Sequence, residues 1–226
     1  NVYVPRLPFH GYLDRTGNHL ADLTAENLFA VMDPSLDLAA GLGDDVTMAG
    51  LSLGGNVAAA GGQLRADLRL AVPMSPALGF RFVPDMLTPP LTRTLLGLSP
   101  DVYMWWDPIN KADFQAESGY PGFSLHALGE IFRLGLAIRA LAADQAPASQ
   151  EQLVIDNWGD PAVSLGAIDS LMGEWRSQGA TVGHYRFPLL PWLPHDFVST
   201  DAVGGKTDVS YPVLIDLITG YDQNTP

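Results

Sequence analysis

Short apolar runs alternate along the chain with longer segments whose apolar residues recur every three or four positions. Residues 46–49 follow the turn-forming Gly41-Leu42-Gly43-Asp44-Asp45 and read as a short buried strand. Residues 68–72, 153–155 and 181–187 read likewise. Helices with identifiable ends lie between these runs. Ser164 is placed to cap a helix whose apolar face is Leu165, Ile168, Leu171, Met172 and Trp175, with Gly179 as its stop. Ser210, with Pro212 just inside, then Leu214, Leu217, Ile218 and Gly220, marks a last helix. Thr24 to Ala40 has the same character, but Pro34 should kink or split it, with Asp33 as a second cap. This alternation predicts an α/β fold, a mostly parallel sheet with helices on both faces.

The stretch 73–121 breaks the rhythm. It holds eight of the eighteen prolines together with Trp105, Trp106, Phe114 and Tyr120. A second long apolar run, 125–142, then carries Leu128, Ile131, Phe132, Leu134, Leu136, Ile138 and Leu141. Residues 80–150 are therefore expected to be an insertion between two sheet strands, a cap of irregular and helical pieces within one 226-residue domain. Trp105-Trp106-Asp107-Pro108 serves either as cap core or as a lipophilic wall for a ligand. Glu130 and Glu151 read as isolated, solvated charges.

Composition narrows the function classes. With 47% hydrophobic and 16% charged residues the chain can bury a full core, and no apolar run reaches the roughly 20 residues of a spanning helix. A net charge of −13 disfavours nucleic acid and anionic membrane surfaces as partners. The absence of cysteine excludes disulfides, a thiol nucleophile and thiolate metal sites. It fits a reducing compartment, so a cytoplasmic protein is the expectation. No His/Glu/Asp spacing suggests a metal site, and there is no G-x-G-x-x-G or P-loop, so no cofactor and no metal are expected.

Candidate chemistry centres on Gly50-Leu51-Ser52-Leu53-Gly54-Gly55, between the strand at 46–49 and the small-residue run Asn56-Val57-Ala58-Ala59-Ala60. This is G-x-S-x-G in the context it requires, strand then tight turn then helix. A serine at so sharp a turn is forced into a strained backbone with positive φ, and its hydroxyl stands clear of the sheet. Gly50 and Gly54 are expected to flank it because side chains there would meet the neighbouring strand and helix. The helix N-terminus below favours developing negative charge.

At this point the chain resembles the α/β-hydrolase family, and within it the carboxylesterase and monoacylglycerol-lipase-like enzymes, whose elbows read G-[LH]-S-[ML]-G-G. Asn1-Val2-Tyr3-Val4-Pro5-Arg6-Leu7-Pro8-Phe9-His10-Gly11 is similar to the family's fourth strand and following turn, V-x-x-P-x-L-x-x-H-G. The resemblance implies the α/β-hydrolase fold with an inserted helical cap, and a triad in the chain order serine, acid, histidine. It assigns the base to His195, in a loop after the last predicted strand. His184 lies within that strand, His19 precedes the elbow and His126 belongs to the insertion, so these read as structural. His10 is placed to line the site without transferring protons. The family's usual form is G-x-x-D-x-x-V, and Trp158-Gly159-Asp160-Pro161-Ala162-Val163 puts Asp160 nearest it, which points to Asp160 as the acid, with Asp156 as runner-up.

The implied reaction is cleavage of a carboxylic ester with an apolar acyl or alkyl part, through an acyl-enzyme on Ser52. Leu53 N–H is one oxyanion donor. The family takes the second from a His-Gly loop after its third strand. Only 41 residues separate Gly11 from Ser52, with one helix and one strand between, so His10-Gly11 belongs to the next turn along. The chain is therefore expected to start at the fourth strand, leaving that donor upstream of Asn1. Trp105, Trp106 and His10 are the expected substrate contacts, and a small-molecule ester is the expected partner. The same triad would also serve thioester, amide or C–C cleavage, and a non-catalytic binding role stays open. Reaction of Ser52 with a fluorophosphonate separates the last class from the others. The oligomeric state is not legible in the sequence.

Overall fold

The structure, a computed structural model, describes residues 1–111 and 119–220. Phe114 lies outside the described residues. Four parallel strands form one sheet in the order β1-β2-β5-β6: β1 (Thr47–Leu51), β2 (Leu70–Met74), β5 (Glu151–Asn157) and β6 (Val182–Phe187). A two-stranded antiparallel ribbon, β3 (Tyr103–Trp105) with β4 (Gly122–Ser124), stands apart. The four predicted strands are all present, displaced by at most two residues at their ends.

Strand alternation sends side chains to two different cores. Ala71 and Val154 join a cluster built with α1 (Ala25–Ala40), α2 (Leu53–Leu64), α4 (Leu125–Asp144) and α5 (Leu165–Ser177). Leu70, Val72, Leu153 and Ile155 face Phe187, Phe197 and Leu214 on the other side, where α6 (Thr207–Thr219) packs. Both faces are covered, as expected for parallel strands. Trp175 sits fully buried on α5, its indole N–H donating to Gln63 Oε1 at 2.7 Å.

Helix ends follow local chemistry. Ser164 caps α5 by accepting from Ala167 N at 3.1 Å, and Gly179 ends it at φ +87°. Thr24 and Asn27 form a reciprocal capping box on α1. Pro34 does not split that helix, which runs unbroken to Ala40 with Leu28, Met32 and Leu36 buried on one side. Asp33, expected as a second cap, instead accepts from Arg65 at 3.3 Å. α6 starts three residues earlier than expected. Lys206 is its N-cap, Pro212 lies inside it, and the Ser210 hydroxyl donates to Phe197 O at 2.5 Å.

Two further expectations are corrected. Residues 2–7 form no strand, and Val2 and Val4 are exposed. β1 pairs only with β2, and Pro5 and Pro8 lack the N–H groups a ladder against β1's other edge would need. Glu130 is not solvated. It is buried, and its carboxylate accepts from Ala25 N at 2.9 Å and from Arg133. An acid on α4 thus satisfies an orphan N–H of the first turn of α1 and meets the positive end of its dipole. Glu151 is half-buried near Arg69 at 3.8 Å.

The stretch 80–150 joins β2 to β5, but it is not uniform. α3 (Thr88–Leu96) and the β3–β4 ribbon make an excursion, whereas α4 contributes Ala127, Leu134, Ile138 and Ala142 to the main core. The turn from β1 to α2 depends on close backbone approach. A Cβ on Gly50 would lie 2.2 Å from Gly54 O, and one on Gly55 would lie 2.7 Å from Met74 O. A Cβ on Gly54 would meet nothing within 4 Å. The second sterically required glycine is therefore Gly55, not Gly54.

Gly54→Ala should keep or raise Tm in a thermal melt, since alanine is favoured over glycine by about 1 kcal/mol within a helix. Gly55→Ala should lower Tm sharply or abolish soluble expression. Glu130→Ala should destabilise by about 1–3 kcal/mol in urea unfolding, because it leaves Ala25 N–H buried without its acceptor.

Candidate active site

The C-terminal ends of the parallel strands carry the chemistry-bearing residues: Ser52 after β1, Ser75 after β2, Asp160 after β5 and His195 after β6. Open α/β sheets bind ligands at this edge. Ser52 has φ +57° and ψ −114°, outside the regions open to ordinary L-residues. Its surroundings hold it there. Ser52 N–H donates to Met74 O at 2.9 Å, and its carbonyl accepts from Asn56 N at 3.0 Å and Ala77 N at 3.2 Å. The buried Asn56 amide donates to Ala77 O and Ile131 O, both at 3.0 Å, fastening α2 to the end of β2 and to α4. The Ser52 side chain makes no capping bond to its own helix. Leu53 N–H is the first of α2, where no acceptor exists within the helix.

His195 Nδ1 lies 2.8 Å from Asp160 Oδ2. The Asp160 side chain is inaccessible, and that of His195 is about a quarter exposed. Burial alone would raise the Asp160 carboxyl. The bond and charge of His195 and the N–H of Ala162 outweigh it and hold the group below the ordinary value of 3.8. An ionised carboxylate only accepts, so His195 Nδ1 carries the proton and donates. In the neutral ring Nε2 is then an acceptor. The other Asp160 oxygen accepts from Ala162 N at 2.8 Å and Val163 N at 3.2 Å, which fixes the loop before α5. Asn157, which residue type and spacing did not single out, donates its amide to Pro194 O at 3.2 Å and ties β5 to the loop of His195. Its place at a strand end next to Asp156 was visible; the partner 37 residues away was not.

Ser52 and His195 line one cavity of about 560 Å³ at the strand ends, without a direct hydrogen bond between them. Ser52 also opens on a second cavity of about 800 Å³, which Leu53, Leu23 and Ile131 border. Trp106, Tyr120 and Phe123, all from the excursion between β2 and α4, border both cavities. Trp105 faces elsewhere, its ring edge-on to Tyr103 at 5.1 Å. His10 borders the larger cavity and its Nδ1 lies 2.8 Å from Pro8 O. A carbonyl only accepts, so His10 Nδ1 is the donor, and Nε2 of the neutral ring is left as an acceptor.

Of the competing groups, Asp156 and His184 are engaged with each other, whereas the ring Nδ1 of His126 is buried without a hydrogen-bond partner. The carboxylate of Asp156 is buried among Arg186, which grips it through two nitrogens, and His184 Nε2 at 3.1 Å. Arg186 also reaches Asp169 and lies 5.0 Å from the Trp158 ring centroid. His19 faces Asp14 at 3.6 Å and Tyr12 at 4.6 Å. His126, in α4, donates its backbone N–H to Asp101. Among the described residues no cluster of three His, Asp or Glu is arranged to hold a metal ion, and no helix is long and apolar enough to cross a membrane.

No family model matches the chain, and no curated protein matches it in sequence. Solved structures do. One from work on the metagenome-derived lipolytic enzymes LipS and LipT is 22% identical, covers 82% of this chain and 70% of its own, and superposes with a TM-score of 0.59. The monoacylglycerol lipase of Paleococcus ferrophilus is 16% identical over 87% of this chain and 76% of its own, with a TM-score of 0.58. A soluble variant of the monoglyceride lipase of Saccharomyces cerevisiae is 13% identical over 93% and 73%, with a TM-score of 0.65. With its parallel sheet, its helices on both faces and its strand–serine–helix turn, the chain has the α/β-hydrolase fold of these lipases.

Proposed function

We propose that the protein is a serine hydrolase of carboxylic esters, with Ser52 as nucleophile, His195 as general base and Asp160 as the residue that orients and supports it. The observation that carries this reading is the shared cavity. A serine held at φ +57° and a histidine oriented by a buried carboxylate face the same space at the strand ends. The lipases that share the fold support it.

In this mechanism the ester carbonyl settles over Ser52. His195 Nε2 takes the hydroxyl proton as Oγ attacks, and the imidazolium is stabilised by Asp160. Negative charge on the carbonyl oxygen is met by Leu53 N–H at the positive end of α2. The imidazolium then gives its proton to the departing alkoxide, and water repeats the cycle on the acyl-enzyme. His10 serves as a wall of the site, with its Nδ1 held on Pro8 O. The excursion formed by α3 and the β3–β4 ribbon acts as the cap, with Trp106 rather than Trp105 at the cavities that Ser52 borders.

A fluorophosphonate should label Ser52, and Ser52→Ala should abolish both labelling and p-nitrophenyl ester hydrolysis; labelling elsewhere in the chain would overturn the assignment. The two aspartates separate cleanly. Asp160→Asn should lower kcat by several orders of magnitude, up to about 10⁴, since an amide oriented toward Nδ1 disturbs the tautomer. Asp156→Asn should lower Tm instead, because it strips charge pairing from buried Arg186, while Ser52 remains reactive.

The depressed Asp160 carboxyl also sets a pH dependence. Its native value lies below its unfolded value, so the ionised form stabilises the fold fully above the ordinary 3.8. That contribution fades as pH falls through the lower native value. Melts of wild type and Asp160→Asn should therefore show a Tm gap at about pH 5 that narrows as pH falls below the ordinary carboxylate range.

A further inference from the structure

We propose that the two cavities meeting at Ser52 divide an ester that is apolar on both sides, so that the preferred substrate joins a fatty acyl group to an alkyl alcohol rather than to a polyol. This rests on the serine-hydrolase reading of the same site. Ser52 borders both cavities, Leu53 only the larger, and His195 and Asp196 only the smaller. The protonated imidazole must reach the leaving oxygen, which places the alcohol on the His195 side. The oxyanion turns to Leu53 N–H, and the acyl chain occupies the larger cavity with Leu23 and Ile131.

The alcohol side is apolar. Phe80, Phe132, Pro161, Val163, Pro194 and Val203 wall it. The hydroxyl of Tyr120, at its border, is already engaged. It donates to Phe9 O at 3.1 Å and accepts from Tyr12 N at 3.2 Å. One oxygen of Asp196 takes the N–H groups of Val198 at 3.1 Å and Ser199 at 2.9 Å. Beyond Ser52 and His195, the polar side-chain groups left to a glycerol hydroxyl on this side, among the described residues, are the other Asp196 oxygen and the indole N–H of Trp106 at the border of the cavity. That carboxylate would also repel an anionic headgroup. An alkyl chain, by contrast, gains roughly fourfold in affinity for each methylene it shelters from water.

The ester is cleaved by ordinary hydrolysis. Water adds across the acyl–oxygen bond, the acid retains the acyl carbon, and the alcohol leaves with the proton from His195. The test compares kcat/KM for the hexanoate esters of hexanol, methanol and glycerol, read as released hexanoic acid. The hexyl ester should exceed the methyl ester at least tenfold, with the glyceryl ester below the hexyl. Val203 is 53% exposed at the lip of the smaller cavity. Val203→Asp should lower the hexyl-to-methyl ratio at least fivefold. Ile215→Asp, on the exposed side of α6 and away from both cavities, should leave that ratio unchanged. A glyceryl ester equal to or better than the hexyl, or a ratio indifferent to Val203→Asp, overturns the proposal.

A second arm does not need turnover. Saturation-transfer NMR should show 1-octanol but not glycerol bound to the protein, with the octanol signal lost in Val203→Asp and kept in Ile215→Asp. If Ser52 is not labelled and no ester is cleaved, the hydrolase reading has failed. The octanol arm then still decides whether the apolar cavity exists: a signal untouched by Val203→Asp overturns it.

Discussion

The backbone of Ser52 is the constraint on which the molecule's architecture turns. A non-glycine residue at φ +57° costs on the order of 1–3 kcal/mol unless its surroundings over-determine it. Here they do. The peptide before Ser52 is fixed by Met74 O, the peptide after it by Asn56 N and Ala77 N, and Asn56 is itself fastened to two other elements. Each of these bonds requires α2 to start within van der Waals contact of β1 and of the end of β2, which the bare Cα atoms of Gly50 and Gly55 allow. The small residues of α2 continue that logic. Ala58, Ala59 and Ala60 are buried because the helix lies close against the sheet.

His195 is positioned by different means, since its loop lacks regular structure. Asp196 turns the chain just after His195 by accepting from Val198 N and Ser199 N. Ser210 and Tyr211 on α6 then hold Phe197 O and Val198 O at 2.5 and 2.7 Å. Asn157 grips Pro194 from the other side. His195 thus sits between three anchors from two elements, and its remaining freedom is rotation about its own side chain, which Asp160 removes. Two aspartates four residues apart are kept from competing by strand geometry. Asp156, inside β5, points to the helix layer and to Arg186, whereas Asp160, beyond the strand end, faces the cavity edge.

Features legible in the sequence were those written in consecutive residues. The elbow, the cap at Ser164 and the stop at Gly179 depend on the local backbone, so spacing and residue type were enough. Asp160 and His195 required the family's pattern in addition, because only the Asp160-Pro161-Ala162-Val163 spacing, read against that pattern, separates Asp160 from Asp156. Illegible features depended on partners far along the chain. Glu130 looked solvated on a helix pattern, yet it closes the N-terminus of a helix more than 100 residues earlier. Ser210 looked like a helix cap, but Phe197 O claims its hydroxyl and the helix starts upstream. Trp105 and Trp106 are indistinguishable as letters, and the end of a three-residue strand separates the one at the cavity from the one packed on Tyr103.

Strain at this edge of the sheet is not confined to Ser52. Ser75, one residue beyond β2, has φ +37°, is completely buried, and donates its N–H to Ile155 O at 2.7 Å. Adjacent parallel strands therefore end on two successive serines in left-handed backbone, one in the cavity and one behind it. A strand that continued straight would fill the space above the sheet with backbone. Turning sharply at the same level, β1 and β2 leave a floor of fixed N–H groups and small side chains with room above it. That room becomes two cavities, and Trp106, Tyr120 and Phe123 of the excursion border both of them, as Ser52 does. The same strained turns that expose the hydroxyl thus also determine where a bound molecule must bend around it.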